Sequence, residues 1–133
     1  MSSRFIKQTA IISGGADGLG KGIALQIAEE GGNVVLMDNN QKTLDAAVAQ
    51  FQSEGYPVLG ILADVSKEEE VQKVYEKAEA TFGQIHVMVN CAGIVGPTST
   101  KITDYSTEDF DRLYQVNQKG TYLMTKYAIF AME

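Results

Sequence analysis

The 133-residue sequence has little of the chemistry that cross-links small proteins, holds metals or anchors a chain in a membrane. It contains one cysteine, one histidine, two prolines and no tryptophan. One cysteine cannot form an intramolecular disulfide, which favours a reducing, cytoplasmic location. The sequence shows no apolar run near 18 residues and no charged-then-apolar leader, so we expect a soluble protein without a membrane span. No acidic, histidine or cysteine residues have ligand spacing, and no metal site is predicted.

Positive charge is also scarce. The 11 lysines and arginines are scattered, and 17 acidic residues give a net charge of −6. Without a basic cluster, neither nucleic acid nor an anionic membrane surface is expected as a partner, and a small molecule fits better. The length and the apolar content of 44% indicate one globular domain over residues 1–133.

Strand-like and helix-like segments alternate along the chain. Apolar runs occupy 10–12, 33–37, 58–62 and 85–89, and helical spacing occupies 23–28, 41–52, 71–82 and 107–133. Ser66 and Glu69 have the spacing of a capping box for the third helix, and Gly83 is expected to end it. Continuous apolar runs are typical of parallel strands covered on both faces. The sequence therefore predicts an α/β fold, a Rossmann-type doubly wound parallel sheet in three α/β/α layers, incomplete with about four strands in the order 3-2-1-4.

A glycine-rich turn joins the first strand to the first helix. It reads Ser13-Gly14-Gly15-Ala16-Asp17-Gly18-Leu19-Gly20. Such a turn lets free N–H groups and the positive end of a helix face a pyrophosphate, although glycine turns also serve packing alone. Asp38 ends the second apolar run 18 residues after Gly20, close to the offset of about 20 for a carboxylate that binds the ribose of a dinucleotide.

The charge of Asp38 also favours one dinucleotide over the other. The extra phosphate of NADP would lie near this carboxylate, and two unit charges about 4 Å apart interact by about 1 kcal/mol in water and about 4 kcal/mol at an effective dielectric constant near 20. Asp17 adds negative charge, and the three residues after Asp38, Asn39-Asn40-Gln41, carry no cation. The expected cofactor is NAD, with NADP disfavoured.

A second motif, Asn90-Cys91-Ala92-Gly93, follows the fourth run. Together with Gly14-xxx-Gly18-x-Gly20, Asp38, the pair Asp64-Val65 and Asn117, it makes the sequence resemble the compact branch of the short-chain dehydrogenase/reductase family. The resemblance covers essentially the whole chain, as the NAD(P)-binding half of a member. It implies these roles: Gly14, Asp17, Gly18, Leu19 and Gly20 around the pyrophosphate, Asp38 on the ribose, Asp64 and Val65 beside the adenine, and Asn90, Ala92 and Gly93 toward the nicotinamide.

The resemblance implies a catalytic role for Asn117, whose backbone would hold a water of the proton relay. It places the family's catalytic serine, tyrosine and lysine beyond Glu133, so we expect a sequence truncated before that segment and inactive alone. The string Tyr122 to Lys126 has Tyr-xxx-Lys spacing but lies in the helix of Asn117, where a packing role is expected. Cys91 and His86 stand where members often carry asparagine and aspartate, and both are interpreted as structural.

Two functions remain open from the sequence. The first is an NAD-dependent oxidoreductase that moves a hydride between nicotinamide and a secondary alcohol or ketone. The second is an NAD-binding module without chemistry. The apolar face of 107–133 is wide enough to be buried on more than one side, and the fourth strand is an open edge. We therefore expect a homo-oligomer, a dimer or tetramer, and the family implies a helical bundle between subunits.

Overall fold

A computed structural model of the chain describes residues 3–133, in which strands and helices alternate. The strands are β1 (Thr9–Ser13), β2 (Asn33–Asp38), β3 (Val58–Leu62) and β4 (Val87–Asn90). The helices are α1 (Gly18–Glu29), α2 (Gln41–Ser53), α3 (Glu68–Phe82), α4 (Thr107–Tyr114) and α5 (Gly120–Met132). A 3₁₀ turn at Ile102–Asp104 precedes α4, and a π-helical turn at Gln115–Lys119 joins α4 to α5.

The four strands form one parallel sheet in the order β3-β2-β1-β4. Ile11 of β1 pairs with Val35 of β2 and Met88 of β4. Ile11 packs in a core cluster with residues of α3 and α5, while Ile12 packs in a second cluster with residues of α1 and α2. Helices therefore cover both faces of the sheet. This confirms the predicted α/β class, the three layers and the strand order.

The start of α3 differs from the prediction. Its N-cap residue is Lys67, and no side chain caps it. The Ser66 hydroxyl and amide both donate to Oδ1 of Asp64, at 2.7 and 2.9 Å, so the hydroxyl is not available to the helix. Glu70, rather than Glu69, reaches back, and its Oε1 accepts from the Asp64 amide at 3.0 Å. The predicted capping box is wrong because a local turn around Asp64 competes for the same serine.

The fourth strand begins later than the sequence suggests, because the His86 ring, rather than a backbone carbonyl, accepts the hydrogen bond of the Thr9 amide. The His86 amide donates to the Thr9 carbonyl oxygen at 2.9 Å, and Nδ1 of its ring accepts from the buried Thr9 amide at 3.0 Å. The ring therefore carries its proton on Nε2 when neutral. His86 has the structural role that the sequence indicates, since it ties the start of β4 to β1.

The last helical region is buried on one side only. The buried residues of α5 are Gly120, Leu123, Met124 and Ala128, and α4 has none. Phe110, Tyr114, Tyr122, Ile129 and Phe130 are exposed. The expectation of burial on more than one side is therefore wrong for the single chain, since no second layer of residues 3–133 packs against this face.

Tyr75 provides a test of how α3 and α5 hold together. Its buried hydroxyl donates to the Met124 carbonyl oxygen at 2.8 Å, and burial raises the pKa of this phenol so that it stays protonated. Tyr75→Phe is expected to lower the free energy of unfolding by about 1 kcal/mol, the net worth of one hydrogen bond. Urea denaturation measures this. Tyr127→Phe is the matched control, because that hydroxyl binds exposed Glu68 at 2.9 Å. An equal loss in both variants would contradict the account.

Candidate functional site

A cavity of about 250 Å³ opens at the carboxyl ends of β1, β2 and β4. Ligands of open α/β sheets bind at this edge, where the strand order reverses beside the first strand. The cavity is lined by Gly14, Met37, Asp38, Asn39, Ala63, Asp64, Val65, Cys91, Ala92, Gly93, Ile94 and Val116. Six predicted site residues lie in this lining: Gly14, Asp38, Asp64, Val65, Ala92 and Gly93. The other six, Asp17, Gly18, Leu19, Gly20, Asn90 and Asn117, do not line it.

The glycine turn contributes Gly14 to the lining of this cavity and leads into α1. Gly14 has φ +65°, and Gly18 has φ +54°, a left-handed conformation that favours glycine. Gly20 is required for a different reason. A Cβ there would lie 2.1 Å from the Gly14 carbonyl oxygen, so the first turn of α1 packs directly on the backbone of the glycine turn.

Asp17 has a local role in the same turn. Its Oδ1 accepts from the Gly18 amide at 2.8 Å, which makes Asp17 the N-cap of α1. Asp17, Gly18 and Leu19 are exposed, and 76% of Leu19 is accessible to solvent. The structure thus places these three residues at the solvent-facing N-terminus of α1.

The Asp38 carboxylate joins two turns at the edge of the cavity. Its Oδ2 accepts from the Ala16 amide in the glycine turn, and its Oδ1 accepts from the Asn40 amide at the start of α2, both at 3.2 Å. A carboxylate offers about four lone-pair sites. Two backbone donors therefore leave acceptor capacity on both oxygens for a ligand hydroxyl.

Asp64 and Val65 form the opposite side of the cavity. Partial burial of Asp64 opposes its ionisation, but the hydrogen bonds from Ser66 and the charges of Lys67 and Arg112 outweigh burial and lower the pKa of Asp64. Val65 packs beneath α5, because a Cβ on Gly120 would lie 2.7 Å from a Val65 methyl carbon. This glycine lets α5 approach the cavity wall.

The Ser66 hydroxyl is expected to control the protonation of Asp64. Ser66→Ala removes one of the two Ser66 hydrogen bonds, so the pKa of Asp64 should rise toward its ordinary value. A lowered carboxyl pKa stabilises the fold above the unfolded-state pKa, and this contribution is lost as pH falls through the folded-state pKa. The variant should therefore lose part of this contribution. A ¹³C NMR titration of the Asp64 carboxyl carbon measures the pKa.

Ser53→Ala is the matched control for this titration. The Ser53 hydroxyl donates to the Gln50 carbonyl oxygen within α2, away from Asp64. This variant should leave the Asp64 titration unchanged. An Asp64 pKa that does not rise in Ser66→Ala would refute the assigned cause.

Asn90 and Asn117 lie behind the cavity lining in a polar network. The Ser13 hydroxyl donates to Oδ1 of Asn90, and Nδ2 of Asn90 donates to Oγ1 of Thr121 at 2.9 Å. The Ser13 oxygen also accepts from the Ala92 amide at 3.2 Å. Asn90 thus ties the end of β1 to α5. Ser13 and Thr121 are not predicted as site residues, because nothing in their local sequence indicates a contact across the sheet edge.

Asn117 lies in the π-helical turn and holds the loop that follows β4. Its Oδ1 accepts from the Ile94 amide at 2.9 Å, and its Nδ2 donates to the Ile94 carbonyl oxygen at 2.8 Å. Ile94 lines the cavity, so Asn117 shapes the cavity through that backbone. A Cβ on Gly93 would lie 3.3 Å from Oδ1 of Asn117, so glycine at position 93 lets this loop lie close to Asn117.

Tyr122 and Lys126 lie outside the cavity, on the surface shared by α3 and α5. Nζ of Lys126 lies 2.8 Å from Oε2 of Glu68 and 6.0 Å from the ring centre of Tyr122. The hydrogen bond to Glu68 raises the pKa of Lys126. The lysine thus serves an ion pair between two helices.

Cys91 is partly buried, and its backbone is hydrogen-bonded to Ser13, because the Cys91 amide donates to the Ser13 carbonyl oxygen at 3.0 Å.

Over residues 3–133, no three acidic, histidine or cysteine side chains are grouped as metal ligands. Within the same range, no helix has the length and apolar character to cross a bilayer.

The parallel sheet and glycine turn define a Rossmann-type α/β protein. A family model described as short chain dehydrogenase matches residues 8–133. The chain belongs to the short-chain dehydrogenase family, which confirms the resemblance seen in the sequence. Members of this family generally bind NAD(P) and act as oxidoreductases.

Three similar proteins illustrate the relationship. A diacetyl reductase [(S)-acetoin forming] of Staphylococcus epidermidis is 40% identical over 116 residues, which are 87% of this chain and 44% of that protein. An NADPH-dependent aldehyde reductase-like chloroplastic protein of Arabidopsis thaliana is 33% identical, over 91% of this chain and 49% of the relative. The crystal structure of levodione reductase superposes with a TM-score of 0.91 at 30% identity, over 97% of this chain and 50% of that one. The chain spans about half the length of the curated relatives it matches.

Proposed function

We propose that this chain binds NAD in the cavity at the carboxyl ends of β1, β2 and β4. It is then the dinucleotide-binding part of an oxidoreductase that transfers a hydride between nicotinamide and a secondary alcohol or ketone. The observation that carries the proposal is the Asp38 carboxylate, which lines the cavity beside the glycine turn and keeps free acceptor capacity. The names of the diacetyl and levodione reductases, both similar to this chain, support a carbonyl substrate.

The residues present fit a bound dinucleotide. Gly20 lets the first turn of α1 pack on the Gly14 backbone beside the cavity, and the N-terminus of a helix is suited to bind a pyrophosphate. Asp38 would accept from the adenosine ribose, Asp64 and Val65 would flank the adenine, and Ala92 and Gly93 would contact the nicotinamide side. NAD, when bound, supplies the acceptor or donor of the hydride.

The preference for NAD over NADP rests on charge. Asp38 is expected to repel the additional phosphate, and the residues that follow it at 39–41 bring no positive charge. Family membership does not select the nucleotide, since one relative is named NADPH-dependent.

The contacts of Lys126 favour a second candidate function for these 133 residues taken alone, which is NAD binding without catalysis. Lys126 binds Glu68 and lies outside the cavity, and Tyr122 is exposed beside it. The catalytic group in the described part of the site is then Asn117, whose backbone would hold a water of the proton relay. We propose that the chain by itself binds NAD without turnover.

We also propose a cytoplasmic homo-oligomer, a dimer or tetramer. The exposed aromatic side chains of α4 and α5 support self-association, because contiguous exposed apolar residues commonly mark interaction surfaces.

Amide chemical shifts of the ¹⁵N-labelled chain test the binding site directly. Addition of NAD should shift the amide signals of Gly14, Ala16, Val65 and Ala92, and leave that of Lys126 unchanged. Absorbance at the NADH band, with secondary alcohols added, should show no turnover. Shifts confined to α5, or none at millimolar NAD, would refute the proposed site.

A further inference from the structure

We propose that Thr121 is a positioning residue, which fixes the backbone carbonyl of Asn117 by linking it to Asn90 and the cavity wall. Oγ1 of Thr121 donates to the Asn117 carbonyl oxygen at 2.8 Å and accepts from Nδ2 of Asn90 at 2.9 Å. This inference rests on the proposed function, because the Asn117 carbonyl matters only if a proton relay passes there.

The donors and acceptors of this network have one consistent direction. A hydroxyl has a single proton. The Thr121 proton goes to the Asn117 carbonyl, so the Thr121 oxygen must accept from the amide group of Asn90. The Ser13 proton goes to Oδ1 of Asn90, so the Ser13 oxygen must accept from the Ala92 amide. The chain of hydrogen bonds therefore runs from Ala92, in the cavity lining, to the carbonyl of Asn117, and its members strengthen one another.

The backbone around Asn117 departs from α-helical geometry, and the hydrogen bond from Thr121 lies at this departure. The Gly120 amide donates to the Gln115 carbonyl oxygen, five residues earlier, in a π-helical turn. Single π turns inside α-helices are frequent at functional sites. The side chain of Asn117 is already bound to Ile94 on both its oxygen and its nitrogen. Thr121 adds a contact on the main-chain oxygen, which directs the remaining lone pair of that carbonyl.

Thr121 can be changed without disturbing the core. It is exposed in the chain and is not one of the buried residues of α5, which include Leu123, Met124 and Ala128. Thr121→Val keeps the shape of the side chain and removes the hydroxyl. Thr121→Ser keeps the hydroxyl and removes a methyl group. Thr125→Val, one turn further at an exposed position of the same helix, is the matched control.

The test uses the full chain labelled with ¹³C and ¹⁵N, first without a nucleotide. Thr121→Val should move the ¹³C signal of the Asn117 carbonyl and the side-chain NH₂ signals of Asn90. It should also speed hydrogen exchange at the Ile94 amide by about fivefold, as the loss of one hydrogen bond predicts. Thr121→Ser should restore all three properties, and Thr125→Val should leave them as in the wild type. Unchanged Asn117 and Asn90 signals in Thr121→Val would overturn the proposal.

A second arm adds NAD and separates this proposal from the proposed function. In the wild type and in Thr121→Ser, NAD should shift the Asn117 carbonyl signal along with the Ala92 amide. In Thr121→Val, the Ala92 shift should remain and the Asn117 shift should be lost. An Asn117 shift that persists in Thr121→Val would refute the coupling, whereas wild-type Gly14 and Ala92 signals that ignore NAD would refute the proposed function instead.

Discussion

Gly20→Ala is expected to abolish NAD binding in the accessible concentration range and to destabilise the fold. The added Cβ would lie 2.1 Å from the Gly14 carbonyl oxygen and 2.8 Å from its carbonyl carbon. Both contacts are with backbone, so α1 and the glycine turn must separate. Overpacking of this kind typically lowers the free energy of unfolding by up to about 3 kcal/mol. Each hydrogen bond lost to a charged pyrophosphate weakens binding by about 1.5–3 kcal/mol, or about 10- to 150-fold.

Gly22→Ala is the matched control in the same helix. A Cβ on Gly22 meets no atom within 4 Å, and its φ is not in the left-handed region. Alanine is favoured over glycine in a helix interior by about 0.8–1.0 kcal/mol, so this variant should be more stable than the wild type. Urea denaturation and NAD titration of both variants measure the two effects. Similar stability of the two variants would show that the glycine turn does not pack on α1 as described.

Asp38→Asn is expected to weaken NAD binding and to reduce discrimination against NADP by roughly fivefold or more. The carboxylate holds the amides of Ala16 and Asn40, and an asparagine offers one oxygen for these two donors. The loss of charge also removes a repulsion of about 1–4 kcal/mol toward the additional phosphate of NADP. Calorimetric titration with each nucleotide gives both changes.

Asp45→Asn on α2 is the control for this change of charge. Oδ1 of Asp45 accepts from Nε2 of Gln41 at the surface, and Asp45 does not line the cavity. The control has the same net charge as Asp38→Asn and should bind both nucleotides like the wild type. If Asp38→Asn keeps the full preference for NAD, then the charge of Asp38 is not its basis.

Local sequence predicts the layers of this fold because each strand and helix carries its own signal. Continuous apolar runs such as 33–37 indicate strands covered on both faces, and β2 is buried on both. Gly83 ends α3 with φ +82°, as its position in the sequence indicates. The cavity lining at Gly14, Asp38 and Asp64 was predictable for a similar reason, because parallel strands end at one edge of the sheet.

Contacts between distant segments were not predictable in this way. The buried carboxylate of Glu30 is bound by Nε and Nη2 of Arg4, at 2.7 and 2.6 Å, across 26 residues. Asn117 was assigned a backbone role, yet its side chain also holds Ile94. No periodicity or motif encodes such pairings, since each depends on how separate elements pack.

Calorimetric titration of the 133-residue chain with NAD and, separately, with NADP tests the central proposal most directly. We expect saturable binding of NAD and binding of NADP that is weaker by roughly fivefold or more, because the Asp38 carboxylate, which we propose binds the ribose, is followed at 39–41 by residues without positive charge. Tighter binding of NADP would contradict the charge argument. Binding of neither nucleotide by a folded, monodisperse chain would contradict the proposed site itself.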